Sequence, residues 1–240
     1  MMKIILSTIE DAYAESHVLK KEWHDFASSF SFNRQKSFLG GRALLQESLS
    51  EFYGVDSLPQ ITTLSHGKPV FFESRYPFFN ISHSSKLICL AIGDRELGLD
   101  VEYIKPRRNI EGLKKRILSD EEYEYFERLG EADQLTLFTS LWTLRECLIK
   151  VSGRGLVDIS SIAAEIEQRT FDYFSVPEGT EVNIIRLDSV LNHDGAAFLS
   201  YSSRAGEESD FYVFRKGRII RTDNPEILYR YLKSKVSRQS

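Results

Sequence analysis

The order of elements in this 240-residue sequence predicts an α+β fold of two halves, residues 1–105 and 106–240, each combining a long helix with short antiparallel strands. Three observations carry that prediction. Helical periodicity runs through Phe32–Phe52 and again through Gln134–Val151. Short apolar runs of strand length follow each helix, separated by turn residues. Pro106 breaks the chain inside the stretch Lys105–Asn109, where the halves join. No sequence repeat relates them.

Met1–Ile9 reads as a first strand, cut short by Glu10 and Asp11 and so too brief for a signal-peptide core. After a polar and aromatic stretch, His17–Phe30, the first long helix ends at Gly54. Gly40-Gly41 inside it would let another chain or a ligand come close. Ile61–Leu64 and Val70–Phe72 read as strands around the turn Gly67-Lys68-Pro69, and Phe78–Ser84 as another strand. Leu87–Ile92 and Leu97–Ile104 predict a hairpin around Gly93–Glu96. Ile110–Leu118 and Asp120–Leu129 read as helices, the second opened by the capping pair Ser119 and Glu122. Beyond Gly153 come strands at Ala163–Ile166, Val182–Leu187, Ala196–Tyr201, Phe211–Arg215 and Ile219-Ile220, then a final helix over Pro225–Lys235.

With 42% hydrophobic and 28% charged residues the composition is that of an ordinary globular protein. No apolar run approaches the roughly 20 residues of a spanning helix, so a soluble protein without membrane partners is expected. The net charge of −4 argues against general nucleic-acid binding. Two cysteines, Cys89 and Cys147, form no disulfide framework or zinc pattern, and a cytoplasmic location fits.

The chemistry gathers at Gly98-Leu99-Asp100-Val101-Glu102-Tyr103. Strand alternation puts Asp100 and Glu102 on one face, where two carboxylates stand in solvent, face cations or hold a metal. Upstream, Asn80-Ile81-Ser82-His83-Ser84 offers donors suited to phosphate oxygens, or a polar turn. Downstream, Trp142, Glu146 and Lys150 recur every fourth residue and share a helix face. Arg34, Lys36 and Arg42 line the early turns of the first long helix. Lys105, Arg107, Arg108, Lys114, Lys115 and Arg116 form a basic cluster against the single acid Glu111, either a solvated surface or a patch for an acidic partner.

Taken together, Gly67–Pro69, Asn80–Ser84, Gly98–Glu102, Trp142–Lys150 and Gly153–Leu156 resemble, in order and spacing, the motifs of the phosphopantetheinyl transferases of the surfactin-synthetase-activating type. Two positions depart: Arg145 stands where that family commonly has Lys, and Leu118 where its Phe-Ser-x-x-Glu pattern has Phe. Arg145 presents a rigid fork in place of a point charge, so contact geometry to phosphate or carrier would differ. The resemblance implies a pseudo-dimeric fold of two similar halves in a monomer, with the site in the cleft between them. Coenzyme A would be the co-substrate, and a serine of an acyl or peptidyl carrier protein, of fatty-acid or secondary-metabolite synthesis, the acceptor. Adenosine 3′,5′-bisphosphate would leave. Mg²⁺, or Mn²⁺, would be held by Asp100, Glu102 and Glu146.

In the same terms Glu146, or Glu102 in its place, would take the proton of the carrier serine, and Lys150 would neutralise phosphate charge. Ser82 and His83 would meet coenzyme A phosphates, Arg34 (or Lys36) and Arg42 the 3′-phosphate, and Lys68 the nucleotide. An acidic carrier helix would dock on the basic cluster. Two other classes compete: a non-catalytic module that binds coenzyme A or a carrier, and a different metal-dependent phosphotransfer or phosphodiester enzyme. Product identity separates both from transfer.

Overall fold

The computed structural model describes residues 1–106, 110–188 and 195–234. The first strand forms as β1, Met2–Thr8. Thr8 caps α1, Ile9–Ala14, by accepting from the Asp11 N–H, and α2 spans Lys21–Ala27. The long helix is α3, Phe32–Tyr53, ended by Gly54 in the left-handed conformation at φ 65°. The close approach expected at Gly40-Gly41 is made by the chain itself. A Cβ on Gly40 would lie 3.2 Å from Tyr13 N, and one on Gly41 3.4 Å from the Ile81 side chain.

β2, Ile61–Thr63, and β3, Pro69–Phe71, pair around the Gly67 turn. Then come β4, Phe78–Ser84, β5, Leu87–Gly93, and β6, Leu99–Tyr103. Three helices follow: α4, Ile110–Ile117, α5, Asp120–Glu127, with its capping box complete, and α6, Glu131–Ser152, ended by Gly153 at φ 68°. The remaining strands are β7, Ala163–Glu165, β8, Thr170–Asp172, β9, Thr180–Leu187, β10, Ala197–Arg204, β11, Ser209–Arg215, β12, Arg218–Arg221, and β13, Ile227–Lys233.

Two elements differ from expectation. The final helix is the strand β13, which pairs antiparallel with β9; Tyr231 is buried while Leu228 and Leu232 on the other face are exposed, a period of two. The hairpin of β5 and β6 does not form. β5 pairs with β1 and β4, whereas β6 crosses over and pairs with β10.

The strands make a five-stranded sheet, β12-β11-β1-β5-β4, and a six-stranded sheet, β6-β10-β9-β13-β8-β7. The antiparallel sheets expected from the sequence are instead mixed, since β1 pairs parallel with β11 and β13 parallel with β8. Three cores stack them. Leu44 and Leu45 of α3 pack with Ile5, Ile88 and Leu90 on one face of the five-stranded sheet. Ile4, Leu6 and Cys89 from its other face meet Leu99, Val101 and Leu199 of the second sheet. Leu144 and Leu148 of α6 pack with Val182, Ile184 and Phe198 on the far side. The layers therefore run helix, sheet, sheet, helix. Among the described residues no helix is long and apolar enough to cross a membrane.

The site depends on how the two sheets meet. β4 and β6 are each the last strand of a sheet, and an edge strand presents unpaired N–H groups. Side chains satisfy those of β6. Leu99 N–H donates to Asn80 Oδ1 at 3.1 Å, Val101 N–H to Ser82 Oγ at 3.3 Å, and Tyr103 N–H to Ser84 Oγ at 3.4 Å. This comb of alternate β4 residues replaces a backbone ladder along the seam.

Candidate active site

Alternation along β6 sends Leu99, Val101 and Tyr103 into the core between the sheets and leaves Asp100 and Glu102 on the opposite face. Asp100 is buried, and its Oδ1 accepts from Lys150 Nζ at 2.7 Å and from Ser82 Oγ at 2.8 Å. Its Oδ2 is buried without a hydrogen-bond partner. Burial pushes this carboxyl above the ordinary carboxylate range, against the pull of Lys150. Glu102 accepts from Ser84 Oγ at 2.8 Å.

Lys150 arrives from α6. Between Phe138 and Val151 every residue of that helix is buried except Trp142, Glu146 and Lys150, so the face predicted from their spacing is the one left open. The ammonium donates to Asp100 Oδ1, to Ser82 Oγ at 2.9 Å and to the Leu99 carbonyl at 3.1 Å, which uses all three of its hydrogens. Burial alone would lower its pKa. Asp100, with Glu146 one turn back, outweighs that and holds it above the usual lysine value.

Mg²⁺ binds through one or two carboxylates, several waters and substrate phosphates, and the donor set fits this pattern. Asp100 and Glu102 share a strand face, and Asp100 Oδ2 is a buried oxygen that no hydrogen bond satisfies. A cage of three carboxylates is not assembled. Among the described residues no three His, Cys, Asp or Glu side chains gather closely enough to hold an ion, and the Lys150 ammonium occupies Asp100 Oδ1. Asp100 and Glu102 are the residues that could hold the ion, with Glu146 on the facing helix.

The other expected residues lie around this centre. His83 points to the opposite face of β4 from Ser82 and is partly open to solvent; desolvation of the covered part of its ring and the nearby Lys150 lower its pKa, opposed by Glu102 and Asp100. Arg42 lies over the Trp23 and Phe38 rings at 5.4 and 5.2 Å, its Nε buried without a partner, and burial brings its pKa to about 10. Arg34 stacks on Phe30 at 4.2 Å, and Lys36 is paired with Glu10 at 2.8 Å. Lys68 joins Glu96 and donates to the Val151 carbonyl at 3.0 Å, beside the end of α6. The structure thus joins Asp100, Ser82 and Lys150 directly and ties Glu102 to Ser84, whereas the contacts of Arg34, Arg42 and Lys68 are with other groups.

Arg145 corrects an expectation. It is fully buried, and its Nη2 donates to both Glu122 oxygens at 2.6 Å and to the Ile162 carbonyl at 3.1 Å. Glu122 also accepts from the N–H groups of Ser119 at 2.6 Å and Ala164 at 3.2 Å. The residue ties α6 to α5 and β7 and touches no open face. The basic cluster is corrected in part: Lys114 is buried, paired with Glu111 at 2.6 Å and set over the Phe126 ring at 4.2 Å. Lys115 and Arg116 are exposed, while Arg107 and Arg108 lie outside the described residues.

Sequence reasoning named Asn80 and Ser84 only as phosphate donors and missed that they bond the N–H groups of β6; the signal for this was the two-residue spacing of Asn80, Ser82 and Ser84, which matches that of Asp100 and Glu102. Glu96, the partner of Lys68, was not singled out.

Known proteins resemble this chain in sequence. The 4'-phosphopantetheinyl transferase HetI of Nostoc sp. is 31% identical over 142 residues, 57% of this chain and 60% of that protein. The 4'-phosphopantetheinyl transferase AcpT of Escherichia coli K12 is 35% identical over 130 residues, 54% of this chain and 64% of the relative. A 4'-phosphopantetheinyl transferase of Bacillus subtilis is 28% identical over 148 residues, 61% of this chain and 65% of the relative. The chain thus spans 60%, 64% and 65% of the length of these relatives. Residues 96–195, which carry Asp100, Glu102, Glu146 and Lys150, match the model of the 4'-phosphopantetheinyl transferase superfamily.

Proposed function

We propose that this protein transfers the 4'-phosphopantetheine group of coenzyme A to a serine of an acyl or peptidyl carrier protein. The observation that carries this reading is the joining of Asp100 and Lys150 across the sheet seam, inside the segment that matches the transferase superfamily. The relatives are named 4'-phosphopantetheinyl transferases, which supports the reading.

The carrier serine oxygen forms a bond to the phosphorus next to the pantetheine arm, the pyrophosphate P–O bond breaks, and adenosine 3′,5′-bisphosphate leaves. Glu146, or Glu102 in its place, accepts the serine proton. Lys150 stays bonded to Asp100 and sets a positive field beside the reacting phosphate. Asp100 and Glu102 would hold Mg²⁺ or Mn²⁺, which would supply charge to offset that of the phosphates. His83, exposed beside the carboxylates, meets a coenzyme phosphate. Arg34 and Arg42 extend the cationic surface toward the 3′-phosphate, and Lys68 stands at the nucleotide end. An acidic carrier helix meets Lys115 and Arg116, exposed on α4.

We further read the architecture as two similar halves in a cytoplasmic monomer. What supports this is the likeness of α3 and α6, each 22 residues long, each ended by a left-handed glycine, and each packed on the outer face of one sheet. Arg145, the departure that would favour a non-catalytic module, is buried in the core and bonded to Glu122.

Chromatography of the small products tests the reading. With coenzyme A, a divalent ion and an apo carrier protein, adenosine 3′,5′-bisphosphate should accumulate in step with carrier consumed. Its absence, or release of a different nucleotide, would exclude this transfer.

A further inference from the structure

We propose that Ser82 and Ser84 are positioning residues for the two carboxylates and do not serve as ligands of the coenzyme; this deepens the proposed transfer and rests on it. A hydroxyl has one hydrogen to donate and two lone pairs to accept with. Ser82 Oγ donates to Asp100 Oδ1 at 2.8 Å and accepts from Val101 N at 3.3 Å and Lys150 Nζ at 2.9 Å. Its capacity is full. A phosphate oxygen needs a donor, and Ser82 has none left.

Ser84 repeats the pattern two residues on, donating to Glu102 Oε2 at 2.8 Å and accepting from Tyr103 N at 3.4 Å. Each serine therefore clasps one carboxylate together with the backbone N–H that follows it. Asn80 holds the Leu99 N–H in the same way, opposite Gly98, where there is no side chain to orient. The period of β4 matches the period of β6, so one register fixes both acids. Oδ1 of Asp100 is committed to Ser82 and Lys150, which leaves the buried Oδ2 for another ligand. Groups that orient metal-binding carboxylates in this way change metal affinity or activity by about 10–100-fold when removed.

The test measures two affinities separately in the full chain. Mn²⁺ binding is followed by electron paramagnetic resonance without coenzyme, and coenzyme A binding by calorimetry without metal. For Ser82→Ala and Ser84→Ala the Mn²⁺ dissociation constant should rise about tenfold or more, with coenzyme A affinity within about twofold of wild type. In turnover, kcat should fall while KM for coenzyme A holds, and Ser82→Thr should restore much of the loss. Weakened coenzyme A binding with unchanged Mn²⁺ affinity would overturn the proposal. Should Ser82→Ala fail to fold, Ser84→Ala, beside the less buried Glu102, decides by the same two affinities. If the wild type binds no coenzyme A, the transfer reading falls, and the Mn²⁺ affinities still decide the role of the serines.

Discussion

Gly98 lies against the main chain of Cys147: a Cβ at Gly98 would stand 2.1 Å from the Cys147 carbonyl oxygen and 2.8 Å from Val151 Cγ2. The glycine that opens the carboxylate strand is needed for contact with α6, because only a residue without a side chain lets β6 approach the helix closely enough for Lys150 to reach Asp100. Gly98→Ala should push strand and helix apart. The expected cost is about 3 kcal/mol from overpacking, read by urea denaturation, with a loss of transfer larger than the loss of folded protein.

Arg145 and Glu122 form a buried pair in which one guanidinium nitrogen does the bonding. Arg145→Met leaves the Glu122 carboxylate buried without its cation and should destabilise by roughly 3–5 kcal/mol. Arg145→Lys keeps a cation facing Glu122, but its ammonium reaches only to the Cζ position, one bond short of Nη2, so a smaller loss of roughly 1–3 kcal/mol is expected. Equal losses for both variants in a denaturant series would contradict this account.

Lys150 and Asp100 should behave as one unit. Lys150→Met leaves Asp100 buried and unpaired, and should lower both stability and transfer, the latter by about two orders of magnitude. Adding Asp100→Asn removes the orphaned charge, so the double variant should regain stability without regaining transfer. A double-mutant cycle reads the coupling; additive stability losses would show that the pair is not coupled.

His83 should titrate below an ordinary histidine. Partial desolvation of its ring and the Lys150 charge disfavour the imidazolium, so the folded protein holds this proton less tightly than the unfolded chain. The unfolded chain then binds more protons as pH falls through about 6.5, and the contribution of His83 to stability drops there. Proton NMR should place the His83 midpoint below the ordinary histidine value, and saturating coenzyme A should raise it. His83→Gln should flatten the stability profile between about pH 5 and 7.

Much of this was legible in the sequence because the signals were local. The caps at Gly54 and Gly153, the capping box of Ser119 and Glu122, and the shared face of Trp142, Glu146 and Lys150 follow from short-range periodicity. Alternation along β6 placed Asp100 and Glu102 together for the same reason. Strand partners are set by distant residues, so the pairing of β6 with β10 could not be read from the apolar runs of β5 and β6. β13 misled because Ile227, Leu228, Tyr231 and Leu232 fit helical spacing as well as alternation, and Pro225 suits a helix start. Arg145 looked like a site residue because Glu146 beside it points to the open face; one position along a helix turns a side chain by about 100°.

The central claim is that the seam carrying Asp100, Glu102, Glu146 and Lys150 moves phosphopantetheine onto a carrier. Intact mass of a purified apo carrier, after incubation with this protein, coenzyme A and Mg²⁺, tests it most directly. The account predicts a gain of one phosphopantetheine group, abolished by chelator and by Asp100→Asn. An unchanged carrier mass under conditions where coenzyme A binds, or a gain that persists in Asp100→Asn, would contradict it.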